Sequence, residues 1–222
     1  MRKLFLFVLS ISTSFYSYSQ SWSMEDYQNH TWESFFNSEI ASQVLDPRDI
    51  DYPLLHAAIF YATNQHRAQN RLRPLEYSPK IEILAADHAH DMAKHGFFSH
   101  QSKIRNKRKL RDRFQIVGLN PSLIAENISN TAGLDYEYGR KVDPPQQSGE
   151  FTYTGNAEKI RVPFHTYLSY AQEIVRLWME SPGHRANILN PDFKYLGCGT
   201  QLYGEKSFYN MPYFMNVQCF SD

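Results

Sequence analysis

Hydrophobic positions recur at helical spacing in three separate stretches. Leu54, Leu55, Ala58, Ile59 and Ala62 form the first and predict a helix from Tyr52 to about Asn70. Arg73-Pro74 stops it, because the residue before a proline is held out of the helical region. Ser78-Pro79 opens the second as an N-cap followed by proline in the first turn. Ile81, Leu84, Ala85, His88 and Met92 make its buried stripe, and Gly96 is a helix stop. The third stretch carries Leu168, Ala171, Ile174, Val175 and Trp178 and ends at Ser181-Pro182-Gly183, with a short turn of helix over Arg185 to Leu189. Strand-like runs come late, at Tyr195 to Leu202 and Tyr213 to Phe220, joined through Gly204 to Asn210.

The remaining segments read differently. Met1-Arg2-Lys3 precedes an apolar stretch from Leu4 to Ile11, and small polar residues follow through Gln20. This is the layout of a secretory signal peptide over residues 1–19, cut before Gln20. The apolar stretch is shorter than the roughly 20 residues a spanning helix needs, and no other segment is long and apolar enough. The expected location is therefore secreted or periplasmic, with no transmembrane segment after cleavage. Residues 20–51, with Trp22, Trp32, Phe35 and Phe36, read as an N-terminal arm that packs on a domain spanning 52–222. Within that domain, residues 129–166 form a Gly-, Pro- and Tyr-rich excursion with one hairpin near Phe151 to Tyr153 and Ile160 to Phe164.

Charge narrows the classes of partner. Lys and Arg number 23, as do Asp and Glu, so the chain lacks the basic excess of a general nucleic-acid binder. The basic residues are concentrated, however: seven of the eleven residues 103–113 are Lys or Arg. That run is either a solvated basic helix or loop, or a patch for anionic envelope polymers or lipid headgroups. Cys198 and Cys219 fall one on each predicted strand. In an exported chain they are expected to form one disulfide, with two buried free thiols or a catalytic thiol as the alternatives.

Familiar catalytic signatures are missing. There is no HExxH, no GxSxG, no GxxxxGK[ST] and no GxGxxG. His88, His90, His95 and His100 lie close in sequence, but a helix sends His88 and His90 to different faces. His88 sits on the apolar stripe as a core histidine. His100 follows the helix stop, where a side chain can reach a cleft.

Four strings then occur in order: Asn64-Gln65-His66-Arg67, Phe98-Ser99-His100, Ala125-Glu126-Asn127-Ile128, and the long run from Trp178 through Ser181-Pro182-Gly183-His184-Arg185 to Leu189. Tyr195-Leu196-Gly197-Cys198-Gly199 follows them. Together they resemble the CAP superfamily of cysteine-rich secretory, antigen 5 and pathogenesis-related proteins, in its bacterial SCP-domain form. The resemblance implies an α+β fold, a three-layer α-β-α sandwich with a small antiparallel sheet. It implies a cleft lined by His100, Glu126 and His184, although Ala125 replaces the usual glycine. A second acid of the family falls at Ser181 here, so either Glu180 or Glu173 substitutes for it or the site has one acid only. Asn64 and Arg67 match residues that buttress the cleft, and Asn127 would satisfy backbone groups beside it.

Two imidazoles and a carboxylate can hold a divalent cation such as Zn2+ and leave a position open, which makes His100 and His184 candidate metal ligands. The expected function is a binding or interaction module for an envelope, lipid-like or protein ligand. The alternative is a metal-assisted hydrolase acting on peptide or cell-wall bonds.

Overall fold

A computed structural model describes residues 21–143, 145, 150–155 and 159–222. The signal-peptide reading of residues 1–19 lies outside the described residues. Two short helices build the arm, α1 (Met24–Asn29) and α2 (Trp32–Phe36), each started by a capping box, Ser23 with Asp26 and Thr31 with Ser34. They exist to deliver aromatic side chains: Trp22 and Phe35 are buried, and Phe35 stacks on Tyr61, 4.7 Å between centroids.

Helix α3 (Tyr52–Gln69) begins where the Asp51 side chain accepts from the Leu54 amide at 3.0 Å. It is followed by a two-residue strand β1 (Glu76–Tyr77) and by α4 (Pro79–His95), which stops at Gly96 in the left-handed conformation, φ 60°. Next come α5 (Leu110–Ile116), β2 (Ile124–Ala132), the small pair β3 (Val142–Asp143) and β4 (Thr152–Tyr153), α6 (Tyr167–Glu180) and α7 (Pro182–Ile188). Two long strands close the chain, β5 (Tyr195–Glu205) and β6 (Met211–Ser221).

The main sheet runs β1-β5-β6-β2. β5 with β6 and β2 with β6 are antiparallel, whereas β1 lies parallel to β5, so the sheet is mixed rather than purely antiparallel. The parallel pairing follows from Asn64, whose side chain bonds both the N–H and the C=O of Leu75 and lays the next two residues along β5. One core joins α3, α6 and the arm to Leu196, Cys198, Phe214 and Phe220 of the sheet. A second joins α4 and α5 to Ile128, Met215, Val217 and Cys219 on the opposite face. The α-β-α layering is therefore present, with the sheet between the two helix layers.

Gly197 and Gly199 explain why α4 lies so close to β5. A Cβ on Gly197 would sit 2.1 Å from the Glu82 nitrogen, and one on Gly199 2.1 Å from the Ala86 nitrogen. The alternation of a strand then turns Cys198 to the other face. This overturns the expected disulfide. Gly197 pairs with Cys219 and Cys198 with Gln218, so the two cysteines stand one register position apart on opposite faces. Both are buried free thiols, separated by the sheet itself.

The excursion has a small core of its own, built from Leu134, Phe151, Tyr153, Val162 and Met211. Phe151 and Tyr153 exchange backbone bonds with Val162 and Ile160, the predicted hairpin pairing. Residues 129–132 belong to β2 instead. No described helix is long and apolar enough to cross a membrane.

Candidate functional site

The cleft is assembled from three ends of elements. His100 lies in the loop after α4, Glu126 on β2, and His184 in the first turn of α7. Glu126 is the hinge of the arrangement. Its carboxylate, 3% exposed, accepts from His100 Nδ1 at 2.8 Å through one oxygen and from the Arg113 guanidinium through the other. Burial alone raises a carboxyl pKa, but the His100 hydrogen bond and Arg113 outweigh it and hold Glu126 below its ordinary value. The Cys219 thiol also approaches, 3.8 Å from the same oxygen as Arg113.

Arg113 holds both members of the pair. Besides Glu126, it donates to the main-chain carbonyls of His100 at 3.2 Å and Lys107 at 3.3 Å. The sequence reading left this residue in the basic run. A signal was available: Arg113 lies three residues after Leu110 and next to Phe114, on the apolar edge of its helix, where a solvated cation does not belong. Much of that run is engaged within the molecule. Lys103 donates to the last carbonyl groups of α4, and Lys107 pairs with Asp87 at 2.7 Å and Asp91 at 3.1 Å. Arg105, Arg108 and Lys109 stay exposed.

His88 is fully buried on α4 and bonds the Ser99 carbonyl at 3.0 Å, which braces the loop that carries His100. Burial pushes its pKa down, so it is a neutral ring at ordinary pH.

His184 is placed by a second network. Asn127 donates to its main-chain carbonyl at 3.2 Å and accepts from Asn187 at 2.8 Å, while the Gln218 side chain joins Asn127 to Thr63 on α3. Arg67 donates to the carbonyls of Ile188 and Asn190, both at 2.8 Å, and so ties the end of α7 to α3. Asn187 and Gln218 are site-building residues to which the sequence alone assigned no role. The His184 pKa is lowered by partial burial and then by the positive charge of a nearby His100.

Glu180 and Glu173 are engaged with a cation on their own helix. Both pair with Arg176 on α6, at 2.5 and 2.8 Å. Among the described residues, no group of three His, Cys, Asp or Glu side chains is arranged around a metal position. Of the two candidate imidazoles, His100 has the Glu126 carboxylate behind it.

The domain is a three-layer α+β fold in which the loop after α4, β2 and α7 carry His100, Glu126 and His184. The model of the cysteine-rich secretory protein family, CAP, matches residues 60–220. The chain belongs to this family. The uncharacterized protein YkwD of Bacillus subtilis (strain 168) is 26% identical over 137 residues, 62% of this chain and 38% of that protein. An extracellular protein containing a SCP domain from Bacillus anthracis str. Ames superposes with a TM-score of 0.52 at 23% identity, over 81% of this chain and 45% of that one. A cysteine-rich secretory protein from Staphylococcus aureus subsp. aureus Mu50 gives a TM-score of 0.45 at 14% identity, over 77% of this chain and 39% of that one. The chain thus spans less than half the length of these relatives.

Proposed function

We propose that this CAP domain is a secreted binding module whose cleft takes a divalent cation such as Zn2+ reversibly between His100 and His184, beside an envelope, lipid-like or protein ligand. One observation supports the reading most strongly: Glu126 takes Nδ1 of His100 and is itself fixed by Arg113. A carboxylate behind an imidazole sets its tautomer and raises its basicity as a ligand, leaving Nε2 to face the cleft. The donor types suit zinc, and two imidazoles leave the other positions to water or ligand, which makes the site open and exchangeable. When bound, the ion would supply a Lewis acid. The lowered pKa of His184 favours the neutral ring that a metal requires.

Calorimetric titration of zinc into the mature protein tests the proposal beside the His100→Ala/His184→Ala variant. The expected result is affinity of about 1 μM, lost in the variant. Equal binding by both proteins would remove the cleft as the site. The competing reading is a metal-assisted hydrolase of peptide or cell-wall bonds, favoured by the base-and-orienter form of the His100–Glu126 pair. Hydrolysis lost in His100→Ala at unchanged stability would decide for it.

A further inference from the structure

A second concavity opens where the arm crosses α3 and β1. Its volume is about 540 Å³, within the range of roughly 300–1,000 Å³ typical of small-molecule sites. One wall is α1 and α2, which precede the family match at residue 60, so the pocket depends on a part of this chain outside the shared domain.

The wall is aromatic. Tyr27, Trp32, Tyr61 and Tyr77 line it; Tyr27 stacks on Tyr77, centroids 3.6 Å and planes 5° apart, and on the buried Tyr61 at 6.0 Å, so the half-buried Trp32 and Tyr77 carry the aromatic surface left for a ligand. Two carboxylates join them, Glu33 in the first turn of α2 and Glu76 on β1, both exposed. Among the described residues no lysine or arginine lines the pocket, and its one histidine is His30. Aromatic faces carry negative potential and attract a cation that sheds water easily. Carboxylates add to that field without needing direct contact. A quaternary ammonium group fits both features, because it is weakly hydrated and brings no N–H that an apolar wall would leave unpaired.

We infer that this pocket binds a quaternary ammonium group, carried either by a free small molecule such as choline or by a lipid headgroup. The pocket is separate from the histidine cleft, so the inference stands whether or not the cleft binds zinc.

The probe is choline, titrated into the full chain and followed by tryptophan fluorescence, with its uncharged carbon isostere in parallel. Saturable binding of choline near 1 mM is expected, with none by the isostere and roughly tenfold weakening in Glu33→Gln/Glu76→Gln. Both substitutions are on the surface and leave the fold intact. Sedimentation with phosphatidylcholine vesicles separates the sources: pelleting that free choline blocks assigns the headgroup, and choline binding without pelleting assigns the free cation. The inference is overturned if choline shows no saturation, if the isostere binds as well, or if the double variant binds as tightly as the parent.

Discussion

Replacing Arg113 with Met would test how the cleft is held together. Arg113 is 1% exposed and bonds the Glu126 carboxylate and the carbonyls of His100 and Lys107. Methionine fills similar space and brings no charge. Glu126 then remains buried with His100 on one oxygen and only the weak Cys219 thiol donor, 3.8 Å away, and His88, 4.0 Å away, beside the other. Breaking one side of a buried ion pair costs about 3–5 kcal/mol. The His100 side chain is 57% exposed and can keep its bond to Glu126, so the lower end, about 3 kcal/mol at neutral pH, is expected.

Urea unfolding followed by tryptophan fluorescence measures that loss, and its pH dependence tests the cause. In the parent, Glu126 titrates below its ordinary value of 4.5, so its contribution is present above that value and is lost as pH falls through the lower folded pKa. Without Arg113 two of the influences that lower it are gone, so the folded pKa of Glu126 lies higher than in the parent. The variant is then most stable, relative to the parent, at low pH and loses ground as pH rises through the raised pKa. The gap between the two proteins should therefore narrow from about pH 7 to about pH 4. A loss under about 1 kcal/mol at neutral pH, or a gap that widens toward acid, would refute the reasoning.

Three further outcomes are expected. Gly199→Ala places a Cβ against the backbone of α4, 2.1 Å from the Ala86 nitrogen, and should cost about 3 kcal/mol or more; a calorimetric melting temperature within a few degrees of the parent would mean that α4 is not seated on β5. Cys198 and Cys219 should resist a thiol reagent in the folded protein and react as two thiols in denaturant, and a single intact disulfide in the mass spectrum would contradict the strand register. Phe35→Ala, in the arm but fully buried, should lose about 3–5 kcal/mol in urea, whereas a change within about 0.5 kcal/mol would mean that the arm does not share the core.

The helices could be read from sequence because their signals are local. Apolar spacing, the Ser78-Pro79 start and the Gly96 stop each act within one or two turns of α4. β2 gave no such signal. Its central residues Glu126 and Asn127 are polar yet buried, so the alternation that marks a half-buried strand is masked at the very positions that build the cleft. The disulfide expectation failed for a related reason. One residue of register decides which face of a sheet a cysteine occupies, and that register is set by long-range pairing of β5 with β6.

The same distinction runs through the site. His100, Glu126 and His184 stood out because they sit in short strings with a known order, yet the residues that hold them were hidden among other patterns. Arg113 belongs to a basic run that reads as a block, either solvated or facing an anionic partner, although one edge of its helix faces the core. Asn187 and Gln218 carry no marked chemistry alone, and acquire their role when α7 meets β2 and β6. A buried carboxylate requires a cation and fixed donors, because burial without them would neutralise it. Once Glu126 is placed inside the fold, a partner like Arg113 is therefore a physical necessity rather than an added detail. The site is best regarded as a loop, at His100, and a helix start, at His184, each anchored through β2: the first by Arg113 and Glu126, the second by Asn127 with Gln218.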